Sequence, residues 1–316
     1  MVGTMNKKRR RTKAPAGKNR QQQSATGGSL SGPLFYTTIR LQTFKNKVNV
    51  ASGTGFFWHT LFEDGAHVGL IVTNKHVIGD SDAVSASCHL GNETGRPSGK
   101  IHPFAVSVQL DDLVQHPDPE VDLCAIGLSA ITAECQRAGV SLFYMTLGAV
   151  NVPSDEEWRK FDSIEEVLML GCPNGLFDEV NNLPIARRGI TATPLPTYSY
   201  NGKGEFLVDI ACFPGSSGSP IFTYPKEVGR GPRPSGPVPG FFLIGILRAG
   251  PTISQTGEIV LTEQPKVNLE SMMHLGLAIR SPAMLELDRV IREREAVDAV
   301  KYAGLWDESG QNQRSD

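Results

Sequence analysis

Several features that would assign this chain to other protein classes are absent from its 316 residues. No run approaches the roughly 20 apolar residues that a membrane helix needs, so we expect no membrane partner. The basic N-terminus has no apolar segment behind it, which argues against a secretory signal. Glycine (33 residues) and proline (21) are instead abundant. Together these features favour a turn-rich globular protein of the cytoplasm.

The cysteine pattern also excludes several classes. The five cysteines are odd in number, lie far apart and form no Cys-x-x-Cys pair. This pattern is not that of a secreted disulfide scaffold, so we expect mostly free thiols in the core. No segment clusters metal-ligand side chains, and no glycine-rich phosphate loop occurs. We therefore predict neither a metal nor a cofactor.

Charge divides the chain into a basic tail and an acidic body. Eight of the 31 Lys and Arg residues, and none of the 33 Asp and Glu residues, lie in residues 1–30. This segment has almost no large apolar side chains, so we predict that it is disordered. Its residues 7–20 are the part suited to binding nucleic acid, but a solvated tail is the favoured interpretation. The polar end at 304–316 is also expected to be disordered.

Short apolar runs separated by turn residues fill the body, as in FYTTIRLQTF, GTGFFWHTLF and FFLIGILRAG. Such repeated short strands favour an all-β fold. A polar, helix-prone segment at 154–166 separates two halves, which we predict to be domains at 31–150 and 151–303. Residues 225–240 contain five Pro and four Gly and predict an exposed loop. After Ser281-Pro282 the apolar residues recur at helical spacing, which predicts a C-terminal amphipathic helix.

Three segments carry the residue types of nucleophilic catalysis. TNKHV places His76 after a buried strand, VDLCAIGL places Asp122 before another, and PGSSGSPIF places Ser217 in a glycine-flanked turn. A serine hydroxyl is a weak nucleophile that needs a base, and the base needs a partner that fixes its tautomer. The flanking glycines let the main-chain N–H groups of Gly215 and Ser217 face a developing oxyanion.

Each of these segments is weak evidence by itself. A histidine at a strand end is more often structural, and a GSSG segment is often a plain turn. Asp118 is a rival for the acid, although the apolar strand begins directly after Asp122. In combination, and in the order His, Asp, Ser, the segments predict a catalytic triad of His76, Asp122 and Ser217.

The same segments resemble motifs of the trypsin-like serine peptidases. TNKHV is similar to their histidine motif and GSSGSP to their GxSGxP serine motif. VDLCAIGL, LGCPNGL, LIGIL and LGLAIRS are more similar to the HtrA-like branch, although we expect no PDZ domain after the closing helix. The resemblance implies two six-stranded antiparallel β-barrels with a C-terminal α-helix. The first barrel would carry His76 and Asp122, and the second would carry Ser217.

The resemblance also implies a serine endopeptidase that cleaves protein or peptide substrates through an acyl-enzyme. In this family the residue six positions before the nucleophile sets the floor of the pocket for P1, the substrate residue before the scissile bond. That residue is Ala211, which favours a small or medium apolar P1 and argues against Lys or Arg. The side wall would consist of Arg248, Ala249 and Gly250. An inward-turned Arg248 would instead favour an acidic P1.

One departure from the family pattern bears on activation. Ser216 stands where secreted digestive enzymes carry an acid that pairs with a newly cleaved N-terminus, so we expect no zymogen cleavage. The sequence leaves open whether a partner protein activates the enzyme. Two other functions also stay open: a catalytically silent trypsin fold used for binding, and a nucleic-acid-associated protein that acts through its basic tail.

Overall fold

The computed structural model describes most of the body of the chain, namely residues 29–63, 65–108, 113–196, 199–223, 240–250, 252–258 and 266–303. Apart from residues 29, 30 and 240, the predicted basic tail at 1–30, the loop at 225–240 and the tail at 304–316 lie outside these residues. The boundary between two domains at residue 150 stays a prediction. No described helix is long and apolar enough to cross a membrane.

The first half of the chain forms one antiparallel sheet of eight strands. They are β1 (Thr38–Lys45), β2 (Val48–Leu61), β3 (His67–Thr73), β4 (Ala83–Gly91), β5 (Pro97–Ser107), β6 (Leu113–Gln115), β7 (Cys124–Gly127) and β8 (Leu142–Phe143). Seven of them lie in the order β5-β4-β1-β2-β3-β7-β6, and β8 pairs with β4.

In the part of the chain that the structure describes, this first sheet is not closed, so the prediction of a six-stranded barrel in the first half is wrong. Among the described residues, β5 pairs along its length with β4, and β6 pairs only with β7. Closure would require the two edge strands to form a ladder with each other. With three residues, β6 is too short to provide much of one.

The second half of the chain contains a closed antiparallel barrel of six strands, as predicted. Its order is β10-β11-β16-β13-β12-β9, and β14 pairs with β15 in a separate hairpin. The strands are β9 (Glu166–Gly171), β10 (Ile185–Thr191), β11 (Glu205–Asp209), β12 (Pro220–Thr223), β13 (Leu243–Ala249), β14 (Thr252–Glu258), β15 (Lys266–Met272) and β16 (Leu275–Arg280). Inward-facing apolar side chains fill the barrel, among them Met169, Phe206, Val208, Ile221 and Ile244.

The α-helices of the described chain are α1 (Lys75–Ile78), α2 (Ser129–Arg137), α3 (Asp155–Trp158) and α4 (Pro282–Ala303). Short 3₁₀ turns occupy Gly32–Tyr36, Ala149–Asn151, Pro173–Gly175 and Tyr200–Gly202. The predicted C-terminal helix is confirmed as α4. Ser281 does not cap it through its side chain, however, because its buried hydroxyl makes no hydrogen bond within the described part of the chain. Helix α3 is shorter than the helix-prone segment at 154–166.

Helix α4 is fixed to the first sheet through a buried carboxylate. Asp288 is 4% exposed and accepts hydrogen bonds from Trp58 Nε1 at 2.9 Å and Thr60 Oγ1 at 2.5 Å. Arg292 lies 2.8 Å from the other carboxylate oxygen and compensates its charge. One core joins the helix to both halves of the chain through Met284, Leu287, Ile291, Trp58, Leu243 and Ile279. This shared core holds the two halves of the chain together.

Candidate active site

His76 lies in the short helix α1, one turn beyond the end of strand β3. Asn74 is the N-cap residue, directly before the first residue of α1. It is fully buried and adopts an extended conformation (φ −78°, ψ 148°). Its side-chain amide does not cap α1 but donates to the main-chain oxygen of Asp122 at 2.8 Å. The segments that carry His76 and Asp122 are therefore joined by this hydrogen bond in addition to the contacts between His76 and Asp122 themselves.

The carboxylate of Asp122 accepts two hydrogen bonds from His76. Its Oδ2 lies 2.5 Å from the imidazole Nδ1, and its Oδ1 accepts from the main-chain N–H at 3.0 Å. The two bonds fix the rotation of both groups and favour the tautomer with the proton on Nδ1, which leaves Nε2 as the basic nitrogen. The rival acid Asp118 instead accepts from the main-chain N–H of Glu120 at 2.9 Å.

Arg248 connects this pair to a second buried acid. Its Nη1 lies 2.7 Å from Glu205 Oε1, and its Nε lies 3.7 Å from Asp122 Oδ2. The side chains of Glu205 and Asp122 are only 9% and 13% exposed. A cation between two desolvated carboxylates compensates both of them. The guanidinium is thus occupied by acids of the protein itself, which argues against the alternative that Arg248 selects an acidic P1 residue.

Ser217 lies in a tight turn between β11 and β12, and the flanking glycines are required by the backbone. Gly215 and Gly218 have φ of +85° and +87°, where a side chain is strained. A Cβ on Gly218 would lie 1.9 Å from the main-chain oxygen of Thr54, and one on Gly215 would lie 2.8 Å from that of Cys172. The turn therefore packs directly on the neighbouring backbone on both sides.

Thr54, a fully buried residue of β2, holds this turn in place, and sequence reasoning did not identify it. Its N–H donates to Ser217 O at 2.9 Å, and its hydroxyl donates to Gly215 O at 2.8 Å. The same hydroxyl accepts from the N–H of Cys172 at 3.0 Å. The threonine belongs to a GTG segment that reads as an ordinary strand, so no local signal distinguishes it.

The main-chain N–H groups of Gly215 and Ser217 donate to no other group in the described part of the chain. They are therefore free to donate to a bound carbonyl oxygen, and their role in an oxyanion hole stays a prediction. The Ser217 hydroxyl donates to Arg248 O at 3.0 Å rather than to His76. Catalytic hydrogen bonds often form only when substrate is bound, so the pairing of Ser217 with His76 stays a prediction.

An open cleft of about 600 Å³ adjoins the His76–Asp122 pair. Arg248 and Ala249 of the predicted pocket wall line it, together with Lys75, His76, Pro119, Glu120 and Asp122. Gly250 follows at the end of β13 and is half-buried. Ala211, the predicted pocket floor, is half-buried at the end of the barrel, and its main-chain oxygen accepts a hydrogen bond from Arg187. The pocket roles of these residues stay predictions.

All five cysteines are free and buried. Burial raises the pKa of the thiols of Cys88, Cys124, Cys172 and Cys212 to about 12. Such thiols stay protonated at neutral pH and are poor nucleophiles or metal ligands. Across the part of the chain that the structure describes, no group of three or more His, Cys, Asp or Glu side chains could hold a metal ion.

The fold is mostly β, with an open antiparallel sheet in the first half of the chain, a closed six-stranded barrel in the second half and a helix at the C-terminus. Residues 53–228 match the trypsin-like peptidase domain family. Because this match spans more than half of the sequence, the chain belongs to the trypsin-like peptidase family. The resemblance inferred from the sequence motifs is thereby confirmed.

Similar solved structures include the serine endoprotease from Yersinia pestis, at 16% identity and a TM-score of 0.42. That match covers 83% of this chain and 65% of the Yersinia chain, so this chain spans less than two thirds of that protein. Another is the thermostable serine protease AL20 from an extremophilic microorganism, at 14% identity and a TM-score of 0.42, with coverage of 81% of this chain and 97% of that one. No curated protein sequence matches the chain.

Proposed function

We propose that this protein is a serine endopeptidase that hydrolyses peptide bonds of protein or peptide substrates through an acyl-enzyme. The observation that carries the proposal is the double hydrogen bond between His76 and Asp122, which orients the imidazole. The proposal assigns the glycine-flanked Ser217 to this imidazole as the nucleophile. Family membership supplies the class of reaction, and this geometry supplies residues suited to its steps.

In this mechanism Ser217 attacks the scissile carbonyl carbon while His76 Nε2 takes the hydroxyl proton. The resulting oxyanion accepts hydrogen bonds from the N–H groups of Gly215 and Ser217, which are unoccupied in the described chain. His76 then gives the proton to the leaving amine, and a water molecule releases the acyl group by the same steps. Asp122 stays ionised, keeps the imidazole in the reactive tautomer and stabilises the imidazolium.

Labelling with a fluorophosphonate tests whether the serine is activated. We expect one covalent adduct, on Ser217, because the proposed mechanism gives this serine an oriented imidazole as its base. The measurement is peptide mapping by mass spectrometry, with His76→Ala as the variant that should lose the label and His67→Ala, an exposed histidine, as the matched control. An intact Ser217 that never reacts would favour the alternative of a catalytically silent fold used for binding.

Deletion of residues 1–30 should leave the rate of cleavage of a small peptide within a few-fold of the full chain. The reason is that Ser216, which is fully buried, is neutral and offers no carboxylate to a newly formed N-terminus. The initial rate on a chromogenic peptide measures this. Strict dependence of activity on proteolysis near residue 30 would contradict it, and loss of salt-dependent DNA or RNA binding on deletion would give the tail a separate role.

A further inference from the structure

A cation that the proposed mechanism does not use lies at the end of the barrel near the nucleophile turn. Arg187 is on strand β10, directly opposite Met169 of β9. Opposed residues of an antiparallel pair share one face of the sheet, and Met169 is in the barrel core. The neighbours Ala186 and Arg188 are exposed, whereas Arg187 is half-buried. Its side chain therefore extends from the inward face of the strand.

The contacts of this arginine are those of a cation without an acidic partner. Its guanidinium donates to the main-chain oxygen of Ala211 and stacks over the ring of Phe213, 4.9 Å from the centroid. Within the described residues it has no ion pair with a carboxylate. Burial accordingly lowers the pKa of Arg187. A guanidinium has five N–H donors, so several remain for a ligand.

Its two contacts lie in the segment that leads to the nucleophile. Ala211 and Phe213 precede Gly215 and Ser217 in the chain, and both are half-buried rather than enclosed. A substrate carbonyl bound by the Gly215 and Ser217 N–H groups is joined to the Cα that carries the P1 side chain, so we expect that side chain to lie within reach of this segment. A second basic side chain, His274, packs its ring 5.8 Å from that of Phe213.

We propose that Arg187 determines specificity by binding the side-chain carboxylate of an acidic P1 residue. This inference rests on the proposed peptidase function and departs from the sequence-based expectation of an apolar P1. A carboxylate is the group that a half-desolvated guanidinium pairs with best, since the two planar groups can share two hydrogen bonds. The same charge repels Lys and Arg at P1.

Matched peptides that differ only in Glu, Gln or Leu at P1 test this with the full chain. We expect the wild-type protein to cleave after Glu with a kcat/KM about 10- to 100-fold above that after Gln, the range for hydrogen bonds between charged groups. Arg187→Gln should bring the ratio of kcat/KM after Glu to that after Gln to about one, because it removes the charge that distinguishes the two side chains. The matched control is Arg188→Gln, on the outward face, where the arginine pairs with Glu166; it should keep the wild-type ratio.

The inference would be overturned if the wild-type protein had a kcat/KM after Glu no higher than that after Gln. It would also be overturned if the ratio of these two values were the same in Arg187→Gln as in the wild type. If thermal unfolding shows that Arg187→Gln does not fold, the wild-type ratio and the ratio in Arg187→Lys test the inference instead. The lysine keeps the positive charge, so Arg187→Lys should still prefer Glu over Gln at P1. Fluorophosphonate labelling of Ser217 together with cleavage mainly after Leu would overturn this inference alone. The absence of both labelling and cleavage would overturn the proposed function and the inference with it.

Discussion

Replacement of Ser217 by alanine should abolish measurable peptide hydrolysis, a loss of at least about 10⁴-fold in kcat. The hydroxyl is the proposed nucleophile, and no other group can form the acyl-enzyme at that position. The fold should survive, because the hydroxyl makes a single neutral hydrogen bond, to Arg248 O. Loss of such a bond costs about 1 kcal/mol. The measurements are the hydrolysis rate of a fluorogenic peptide and the thermal unfolding transition.

Two histidine variants serve as comparisons for this loss of activity. His76→Ala should lose as much activity as Ser217→Ala, because the two groups act as one unit and their effects do not add. His67→Ala, on the exposed end of β3, should retain wild-type rates. Cleavage by Ser217→Ala at a rate near that of the wild type would show that a different group carries the reaction and would remove the basis of the mechanism.

Replacement of Asp122 by asparagine should lower kcat by about 10⁴-fold, although the nucleophile Ser217 is unchanged in this variant. The carboxylate accepts on both oxygens, from the His76 main chain at 3.0 Å and from the imidazole Nδ1 at 2.5 Å. An amide has only one acceptor oxygen. If it keeps the main-chain bond, its NH₂ group faces Nδ1 and favours the tautomer with the proton on Nε2. That tautomer cannot accept the proton of the serine hydroxyl.

Asp118→Asn is the matched control, since Asp118 is the rival acid in the same loop. Its carboxylate holds the N–H of Glu120 and not His76, so this variant should keep activity within a few-fold. Both variants are compared by kcat on one peptide and by thermal unfolding. A larger loss in Asp118→Asn than in Asp122→Asn would mean that the acid had been assigned to the wrong residue.

The parts of the fold that follow from local pattern were predictable from the sequence. Apolar and polar residues alternate from Ile39 to Gln42 of β1, which is why buried and half-buried residues also alternate there. The apolar residues that recur after Pro282 likewise identified α4, and three of them, Met284, Leu287 and Ile291, are buried in the core. Strand closure is different, because it depends on which edges meet. The short β6 and the pairing of β5 with β4 leave the first sheet open, and no period in the sequence encodes that outcome.

The candidate site divides in the same way. The TNKHV, VDLCAIGL and PGSSGSP segments carry their residue types and turn glycines in the sequence itself, so His76, Asp122 and Ser217 could be proposed without a structure. The direction of Arg248 could not, because it depends on Glu205, an acid that lies in another strand. An arginine side chain has many rotamers. The carboxylate that selects one of them for Arg248 is brought next to it only by the fold.

The sequence by itself therefore determined the family, the β class with its closing helix, and the triad candidates, because each rests on short-range periodicity or on the chemistry of one turn. Only the tertiary structure decided the open first sheet and the role of Thr54 in holding the nucleophile turn. It alone also placed Arg187 beside Ala211 and Phe213. These features are contacts between distant segments, and they are set by packing and by the need of buried polar groups for partners.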